Sequence, residues 1–493
     1  MAFGPWVKIA LPMTDLAPWS VADMAAAMNA ERTGALPDAV SGLSIDSRTL
    51  AVGEAFFAIA GDNRDGHDFV VPALARGAGL AVVARDKRAL FPPDAPLLVV
   101  TDVLEGLRDL ARAARARSPA RIIAVTGSVG KTGTKEALRL VLAHSGPTHA
   151  SLASYNNHWG VPLSLARLPA NARFGVFEIG MNHAGEIDPL TRLVRPHIAI
   201  VTAIAPVHLE HFGSLEAIAD AKAEIFAGVE ADGIALINRD SPHFAQLEKA
   251  AARAGVARIL SFGEHEKADA RLLKLSMHPE TSVIVADILR TEVTYRLGAP
   301  GRHLALNSLA VLAAASLAGA DLMLASLALG TLEPPTGRGQ RITLNVNDGT
   351  ALLIDESYNG NPASMQAALA LLGQAAIGRN GRRIAALGDM LELGAAGAEL
   401  HRGLLDPVLA ADVDLVFCAG PLMRSLWEAL PSERRGGYAE TAAELETTLL
   451  AAVRAGDAIM VKGSFGSKMG PLVKTLVRRF SRQDEEERAP ARG

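Results

Sequence analysis

One stretch of the chain has the residue types and spacing that bind a phosphate: Gly127, Ser128, Val129, Gly130, Lys131, Thr132 and Gly133. It follows an apolar run typical of a buried strand and precedes residues that favour a helix. In such a strand–turn–helix unit the unpaired N–H groups of the helix point at an anion. Lys131 would add a positive charge, and the Thr132 hydroxyl can ligate Mg²⁺. We therefore predict a nucleotide-binding phosphate loop, although Val125 stands where the strict Walker A pattern has glycine.

Two further polar side chains, Glu178 and His208, come at or just beyond the ends of later apolar runs, at residues 174–180 and 198–204. Each run is followed by a helical segment, which indicates a parallel sheet with crossover helices. Ligands of such sheets lie outside the carboxyl ends of the strands. The phosphate loop, Glu178 and His208 should therefore meet in one crevice. The alternatives are a water-facing edge charge for Glu178 and a hydrogen-bonded strand-end histidine for His208.

The composition is that of a large globular chain. It has 493 residues, of which 49% are hydrophobic and 21% charged, so roughly three domains are expected. A net charge of −4 gives no general case for nucleic-acid binding. The single cysteine, Cys418, excludes an intrachain disulfide and a cysteine metal cage, and is compatible with a reducing cytoplasm.

One segment could be mistaken for a membrane span. Residues 304–330 are almost entirely apolar, but Asn307, Gly319 and Asp321 interrupt them. Gly319 divides the segment into two shorter pieces, so we predict two buried helices and no membrane insertion. The N-terminus shows no signal peptide.

Breaks in the pattern divide the α/β chain into three domains. We predict a small N-terminal α/β domain at 1–118, and a central domain at 119–335 with a phosphate loop and a mainly parallel sheet. A C-terminal, Rossmann-like doubly wound domain follows at 336–480, with a helix starting at Asn361-Pro362. The charged tail at 481–493 is predicted to be disordered.

Together these features resemble the Mur ligase family of peptidoglycan synthesis, over nearly the whole chain from about Ser41 to Lys468. Within the family, the resemblance is strongest to the ligases that add D-alanyl-D-alanine. The motifs that carry it are Asp46-Ser-Arg48, Thr126-Gly-Ser-Val-Gly-Lys-Thr132, Tyr155-Asn-Asn157, Glu178-Ile-Gly-Met-Asn182, Gly185-Glu186, His208-Leu-Glu-His-Phe-Gly-Ser214, Ala221-Lys-Ala-Glu-Ile225, Gly337-Arg-Gly339, Asp355-Glu-Ser-Tyr-Asn-Gly-Asn-Pro362, Leu387-Gly-Asp-Met-Leu-Glu-Leu-Gly394 and Lys462-Gly-Ser464.

The resemblance implies a two-step reaction in the cytoplasm, carried out by a monomer. ATP phosphorylates the terminal carboxylate of UDP-N-acetylmuramoyl-tripeptide, and the amine of D-Ala-D-Ala attacks the acyl phosphate to form an amide. A polyanion must approach a carboxylate, so positive charge is needed from Lys131 and from Mg²⁺, for which two ions are expected. Thr132 and Glu178 offer hard oxygen ligands, and His208 is a further candidate, although imidazole is less usual for Mg²⁺.

The resemblance also implies contacts to ATP outside the loop. Asn307 would contact the adenine, although it could instead form a helix–helix hydrogen bond. Arg338, between two glycines, could reach the phosphates once the third domain closes, or be a solvated linker residue. Asp355 and Glu356 would face the ribose. Relatives often have two aspartates there, so which carboxylate makes the contact stays open, and both could merely be surface charges.

The other substrate is assigned by the same resemblance. Ser47, Arg48 and the turn that contains Asp65 and His67 match the region that holds the uridine nucleotide. Asn156 and Asn157 would meet the peptide or phosphate end of that substrate. For all of these residues, an ordinary role in surface turns is the alternative.

Lys222 can be argued from helix geometry as well. Ser214 caps a predicted helix whose apolar positions are Leu215, Ile218, Ile225, Phe226 and Val229, and Lys222 falls on the same buried stripe. A lysine there must extend to solvent, be neutralised or be modified. The resemblance favours modification to a carbamate with CO₂, an anion that can hold a second Mg²⁺ near His208.

Three other functions are alternatives to this one. The preceding ligase of the pathway adds the third amino acid, but its diaminopimelate-using members carry an Asp-Asn-Pro-Arg motif that is absent from this sequence. Folylpolyglutamate synthase shares the core but should not need the N-terminal uridine domain. A nucleotide-switched binding protein would rarely carry a third domain with carboxylates at its strand ends.

Overall fold

Three large β-sheets, one after another along the chain, organise the molecule. The computed structural model describes residues 19–61, 64–152, 154–207, 209–346 and 349–481. The sheets have five, nine and six strands and are mostly parallel, with helices packed on them. This confirms the predicted α/β class with three domains. Each sheet lies inside one of the predicted domain ranges, and the exact domain limits stay predictions.

The first sheet has the strand order β2-β7-β6-β5-β4, in which only the β2–β7 pair is antiparallel. Strands β1 and β3 form a separate antiparallel pair. Ser20 caps the first helix by accepting a hydrogen bond from Asp23 N, as its position predicts. The elements in chain order are β1 Trp19–Ser20, α1 Val21–Ala27, β2 Glu31–Thr33, β3 Ala39–Val40, β4 Leu43–Ser44, β5 Ala55–Phe57, α2 Val70–Ala75, β6 Leu80–Ala84, β7 Leu97–Val100 and α3 Val103–Arg117, with 3₁₀ turns at Gly66–Phe69 and Arg85–Leu90.

The second sheet has the order β16-β15-β14-β13-β12-β11-β8-β10-β9. It is parallel from β14 to β9, and β15 and β16 extend it as antiparallel strands. Its elements are β8 Arg121–Thr126, α4 Lys131–Ala143, β9 Thr148–Ala150, α5 Gly160–Ala166, β10 Phe174–Glu178, α6 Ile187–Val194, β11 Ile198–Val201, α7 Leu209–Phe212, α8 Leu215–Ala223, β12 Ile234–Asn238, α9 Phe244–Arg253, β13 Arg258–Gly263, β14 Ala270–Met277, β15 Ser282–Ile288, β16 Thr291–Leu297, α10 Arg302–Leu317 and α11 Leu322–Ala328, with 3₁₀ turns at Glu224–Gly228 and Leu329–Thr331.

The third sheet has the order β17-β18-β22-β19-β20-β21, with only the edge strand β17 antiparallel to its neighbour. Asn361 and Ser364 form a capping box at the predicted helix start. The elements are β17 Gln340–Val346, β18 Gly349–Glu356, α12 Pro362–Gly373, β19 Arg383–Gly388, α13 Gly397–Arg402, α14 Leu405–Ala410, β20 Leu415–Ala419, α15 Arg424–Ala429, β21 Arg435–Ala439, α16 Ala442–Ala452, β22 Ala458–Lys462 and α17 Met469–Ser481, with 3₁₀ turns at Gly394–Ala396, Ser432–Arg434 and Phe465–Ser467.

The hydrophobic cores join the first two domains and leave the third apart. One cluster of buried side chains runs from Trp19 through α3 into α5 and on to Ala251, so it belongs to both the N-terminal and the central domain. The clusters of the third domain contain only residues beyond 340. Among the described residues, no hydrophobic cluster combines side chains of the central and third domains.

Two predictions about apolar helices have different outcomes. The segment around Gly319 does form two helices, α10 and α11, and Gly319 (φ +86°) stands between them. No helix in the described ranges is long and apolar enough to cross a membrane. The helix predicted to run from Ser214 past Phe226 is shorter than expected. It ends at Ala223 and continues as a 3₁₀ turn, in which the Ile225 carbonyl accepts a hydrogen bond from the Thr191 hydroxyl of α6 at 2.7 Å.

Candidate active site

The predicted phosphate loop lies between β8 and α4, at the carboxyl end of the central sheet. Strand β8 ends at Thr126, and the helix begins at Lys131. Gly130 has φ +90°, and a side chain there would lie 2.5 Å from the Asn307 amide nitrogen. Only glycine combines this left-handed backbone with such a close neighbour. The Ser128 hydroxyl donates to Ala205 O at 3.0 Å, so the loop is tied to the segment that follows β11.

Glu178 connects the phosphate loop to the loop after β9. Glu178 is the last residue of β10 and is only 1% exposed. Glu178 Oε2 accepts a hydrogen bond from the Thr132 hydroxyl at 2.9 Å. Glu178 Oε1 accepts another from Asn156 Nδ2 at 2.6 Å. The register that pairs Glu178 with Val125 places the carboxylate beside the loop, as the parallel-strand argument predicts.

Lys131 lies on the same side of the loop. Its Nζ donates to Gly127 O at 2.7 Å, which folds the side chain back over the turn. Burial lowers the pKa of Lys131, Glu178 opposes this effect, and the positive charge of Arg338 adds to it. The influence of Arg338 places the guanidinium of the inter-domain segment near the phosphate loop.

Lys222 does not extend to solvent. It is 2% exposed on α8, although α8 is shorter than predicted. Burial, followed by repulsion from Lys131, lowers the pKa of Lys222 well below its usual value. Burial and Lys131 therefore both favour the neutral amine of Lys222, which is the form required for the predicted modification.

His208 lies outside the described residues, so its predicted place in the site stays untested. Within the described ranges, no cluster of three His, Cys, Asp or Glu side chains could hold a metal on its own. The oxygens of Thr132 and Glu178 still suit Mg²⁺, which typically takes one or two protein ligands and completes its shell with phosphates and water.

Helix α10 forms one wall next to the phosphate loop. Asn307 lies against Gly130, so its amide faces the loop rather than a neighbouring helix. His303, at the start of the same helix, is influenced by Glu356 and Lys462 of the third domain. Burial, together with Lys462, lowers the pKa of His303, and Glu356 opposes the shift. The start of α10 therefore faces the third domain across a cleft.

The carboxylates of the third domain have different surroundings. Asp355 is buried and accepts hydrogen bonds from the Ser357 N–H at 3.0 Å and its hydroxyl at 2.6 Å, so it shapes the turn after β18. Glu356 instead pairs with the buried Lys462 Nζ at 3.2 Å. Glu356 Oε1 would lie 3.2 Å from a side chain at Gly339, so Glu356 is the carboxylate that faces the segment between the domains.

The segment between the domains is held at Tyr358. The Arg338 guanidinium lies 4.4 Å from the centre of the Tyr358 ring, and Tyr358 N donates to Gly337 O at 3.1 Å. Gly337 and Gly339 have φ +75° and +99°, backbone conformations that other residues rarely adopt. Arg338 is thus placed by its neighbours and is not a freely solvated linker residue.

The loop after β4 lies near the loop that carries Asn156. Arg48 is exposed and forms a bidentate pair with Asp46, which raises the pKa of Arg48. Ser47 O accepts a hydrogen bond from Arg76 Nη1 at 2.9 Å. Arg167 Nε, just after α5, donates to Leu43 O at 3.0 Å. Strand β4, which leads to Ser47 and Arg48, therefore meets the helix that follows the Asn156 loop where the first two domains join.

Two predicted substrate residues have clear structural tasks. His67 is buried, with Nδ1 2.5 Å from Asp65 Oδ1 and Nε2 accepting from Ala84 N at 3.0 Å. Burial works against the charge of Asp65, but hydrogen bonds from His67 and Lys87 outweigh it and lower the pKa of Asp65 to about 2. Asn157 Oδ1 accepts from the N–H groups of Trp159 and Gly160 and so stabilises the start of α5.

Sequence reasoning gave no individual role to His303, Lys462 or Tyr358, although the last two lie in motifs that it recognised. His303 follows Gly301 at the start of an apolar helix, and Lys462 ends an apolar strand. A charged or titratable residue at such a boundary is the signal that could have identified both. Tyr358 was part of a recognised motif, but its stacking on Arg338 depends on the way the third domain is packed.

Comparison with known families gives matches along most of the chain. Residues 39–115 match the description "Mur ligase family, catalytic domain". Residues 125–315 match "Mur ligase middle domain", and residues 337–465 match "Mur ligase, glutamate ligase domain".

Curated relatives carry one name. The UDP-N-acetylmuramoyl-tripeptide–D-alanyl-D-alanine ligase of Escherichia coli (strain K12) is 34% identical, over 91% of this chain and 96% of its own length. The ligase of the same name from Rickettsia prowazekii (strain Madrid E) is 32% identical, over 87% of this chain and 94% of its own.

Solved structures have the same architecture. MurF from Acinetobacter baumannii superposes with a TM-score of 0.80 at 28% identity, covering 94% of this chain and 100% of its own. MurF ligase from Thermotoga maritima in complex with ADP gives a TM-score of 0.73 at 24% identity, over 90% of this chain and 98% of its own, which is a likeness of fold alone.

Proposed function

Because this chain belongs to the Mur ligase family, we propose that it joins D-alanyl-D-alanine to UDP-N-acetylmuramoyl-tripeptide, with ATP converted to ADP and phosphate. The observation that carries the proposal is the buried Glu178 carboxylate. It accepts hydrogen bonds from Thr132 of the phosphate loop and from Asn156 of the loop assigned to the UDP-linked substrate. A single side chain therefore connects the proposed sites of the two substrates. The relatives named above favour this activity over the addition of the third amino acid.

In the first step, the residues of the phosphate loop stabilise negative charge. The N–H groups at the start of α4 and Lys131 stabilise the transferred phosphate as the peptide carboxylate approaches it. Lys131 Nζ keeps its hydrogen bond to Gly127 O until it binds a phosphate instead. The side chain is therefore oriented before the substrate arrives. The product of this step is an acyl phosphate, which the amine of the dipeptide then attacks.

We assign Thr132 and Glu178 as Mg²⁺ ligands, with His208 as a further candidate. Mg²⁺ bound to these oxygens would neutralise the charge of the phosphates. Glu178 is suited to this task because it is buried and already oriented by Thr132 and Asn156. These oxygens support the binding of a first Mg²⁺ ion. The binding of a second ion depends on Lys222.

We propose that Lys222 is converted to a carbamate. Its neutral amine is the form that attacks CO₂, and the product is an anion close to the positive charge of Lys131. The amine nitrogen bonds to the carbon of CO₂ and one proton is released to solvent, so a neutral group that Lys131 would repel if it were charged becomes an anion that Lys131 attracts. The carbamate oxygens would then be ligands for the second Mg²⁺.

The nucleotide is placed in the cleft between the central and third domains. We assign Asn307 to the adenine and Arg338 to the phosphates, as the resemblance implies. Of the two third-domain carboxylates we choose Glu356 for the ribose, because Asp355 is engaged by Ser357 within its own turn. This choice is supported by the surroundings of Glu356, which include His303 and Lys462.

The uridine nucleotide is placed on the N-terminal domain, beside Ser47 and Arg48, with Asn156 at its peptide end. Asp65, His67 and Asn157 would contribute by holding their turns and the start of α5 in shape. We further propose that a monomer acts, because one chain supplies all these groups. A cytoplasmic location fits a reaction that needs ATP.

The reaction is tested by mass spectrometry of products from ATP, the UDP-tripeptide and candidate amines. We expect a product that has gained D-Ala-D-Ala, and better turnover with this dipeptide than with free diaminopimelate or lysine on a dipeptide acceptor. Lys131→Ala should abolish ligation while the thermal unfolding curve stays near that of the wild type. A folded Lys131→Ala enzyme with near-normal turnover would contradict the phosphate-loop assignment.

The carbamate has its own test. Lys222→Ala should be inactive in ordinary buffer and partly active when acetate is added, because a small carboxylate can supply the missing oxygens. Mass spectrometry of the native enzyme should find the mass of CO₂ on Lys222, a result that does not depend on activity. An unmodified Lys222 together with an active Lys222→Ala enzyme would exclude the carbamate.

A further inference from the structure

The segment that follows β11 holds the phosphate loop from one side. It comprises residues 202–205, and we call it the clamp segment. Ser128 N donates to Ala203 O at 2.7 Å, and the Ser128 hydroxyl donates to Ala205 O at 3.0 Å. The loop is thus attached to the clamp segment through both its backbone and a side chain. Its shape therefore depends on residues that lie more than 70 positions away in sequence.

Thr202, the first residue of the clamp segment, is fully buried and directs its hydroxyl at the loop. The hydroxyl donates to Val129 O at 2.6 Å, and Thr126 O lies 3.2 Å away as a second acceptor. Thr202 also approaches Gly127 closely, since a side chain on Gly127 would lie 2.0 Å from the Thr202 oxygen. Glycine is therefore needed at Gly127 for its backbone conformation (φ +146°) and for the approach of this hydroxyl.

The contact with Thr202 fixes the direction of one peptide group in the loop. A planar trans peptide directs its C=O and its N–H to opposite sides. Because Val129 O points at Thr202, the N–H of Gly130 points away from Thr202, at the start of α4. This N–H is one of the groups that bind an anion at the start of a helix. If the peptide rotated, the Val129 carbonyl oxygen would face the phosphate instead and would repel it.

We propose that the Thr202 hydroxyl positions the phosphate loop for ATP by holding Val129 O and so directing the Gly130 N–H at the phosphates. The inference rests on the ATP-binding part of the proposed function. Thr202 is a positioning residue, because it acts through Gly130 and contacts the loop rather than the reacting atoms. A donor that is oriented before the ligand binds stabilises the phosphate charge without a further rearrangement of the loop.

The test removes the hydroxyl and keeps the shape of the side chain. Thr202→Val should weaken the binding of ADP about tenfold, as measured by calorimetry, because one donor to a charged group is no longer held in place. The KM for ATP should rise by a similar factor, whereas the KM values for the UDP-tripeptide and D-Ala-D-Ala should not change. Thr202→Ser keeps the hydroxyl and should bind ADP nearly as tightly as the wild type does.

Ser326→Ala is the matched control. It also removes a buried hydroxyl that donates to a backbone carbonyl, that of Leu322 at 2.7 Å. Ser326 lies on α11, whose start is bound to Ser145, just beyond the end of α4 that is remote from the phosphate loop. The binding of ADP and all three KM values should therefore stay at the wild-type level in this variant.

The outcomes separate the inference from the reaction on which it rests. Unchanged ADP binding in Thr202→Val would overturn the role of the hydroxyl. An equal rise of all three KM values, or a Thr202→Ser protein that binds ADP as weakly as Thr202→Val, would also overturn it. If Thr202→Val does not fold, Thr202→Ala replaces it and must show the same loss of ADP binding. Because ADP binding needs no ligation, a wild type that binds ADP but does not join D-Ala-D-Ala overturns the proposed amine substrate alone.

Discussion

The two junctions between the domains are built in different ways. Between the N-terminal and central domains, α3 packs against α5 inside one continuous hydrophobic core. Arg115 of α3 reinforces this contact by donating to Val194 O at 2.9 Å. Between the central and third domains the described contacts are polar or involve glycine, as with Glu210 and Glu392 or Glu210 and Gly394. The first junction fixes two domains as one body, and the second leaves the third domain able to move.

The difference matches the two tasks of the molecule. In the proposed reaction, the UDP-linked substrate would span the first junction, between Arg48 and Asn156. ATP and the dipeptide would enter at the second junction, where opening and closing would admit substrates and exclude water. An apolar core would resist such motion, because pulling it apart exposes apolar surface to water at a free-energy cost of about 25 cal/mol per Å².

The largest effect should come from damage to the shared core. Leu110 on α3 is fully buried in it, and Leu110→Ala should lower the free energy of unfolding by about 2–5 kcal/mol. Because the core is shared, calorimetry should show the N-terminal and central domains unfolding together, in one transition at a lower temperature. Leu369→Ala removes an equally buried leucine from the third domain and should shift only a separate transition. Separate melting of the first two domains would refute the shared-core description.

The next effect concerns catalysis at the second junction. Arg338→Ala should lower kcat/KM about 100-fold, because the cation aimed at the phosphates is lost. The unfolding temperature should stay near that of the wild type, since no hydrophobic core is disturbed. Arg379→Ala, an exposed arginine elsewhere in the third domain, should leave both quantities unchanged. A large loss of stability in Arg338→Ala would mean that this junction is structural after all.

The smallest effect is a dependence on pH. The pKa of His303 is lowered by burial in the fold, from a usual value near 6.5. The folded protein therefore binds fewer protons at His303 than the unfolded chain does. The contribution of the neutral imidazole to the free energy of unfolding is complete above about pH 6.5 and is lost as the pH falls below that value. Glu356 opposes the shift and Lys462 supports it, so we expect a loss below about 1.4 kcal/mol per pH unit.

His303→Gln should remove this part of the acid sensitivity, as measured by denaturant unfolding from pH 5 to 8, a window centred on the ordinary histidine pKa of about 6.5. His144→Gln, a substitution at an exposed histidine on another surface, is the control. Identical pH profiles for the wild type and His303→Gln would show that the fold does not lower the pKa of His303 as described.

Much of the fold could be predicted from sequence because its signals are local. The glycine turn before Lys131, the apolar strands and the capping residues Ser20 and Asn361 each depend on near neighbours in the chain. The end of α8 could not be predicted, because the turn that follows it is bound by groups far away in sequence: the Glu224 side chain accepts from Gly185 N and Ile187 N, and Ile225 O accepts from Thr191.

The site divides in the same way. Thr132 and Glu178 could be predicted to meet because parallel strands end at the same edge. Glu356 could not be distinguished from Asp355, since the choice depends on Lys462 and on a helix of another domain. The structural tasks of His67 and Asn157 also escaped prediction, because their partners are backbone groups whose positions the sequence pattern does not specify.

The two glycines beside Arg338 give the molecule a point where it can be cut. In the structure, Gly337 and Gly339 are buried and the arginine is stacked on Tyr358, so trypsin cannot fit the peptide bond that follows Arg338 into its active site. If this segment also detaches from Tyr358 when the junction opens, that bond becomes accessible, and a single cleavage would separate this domain from the other two. The rate of cleavage therefore measures how often the junction opens, and ligands that keep it closed should protect the chain from the protease.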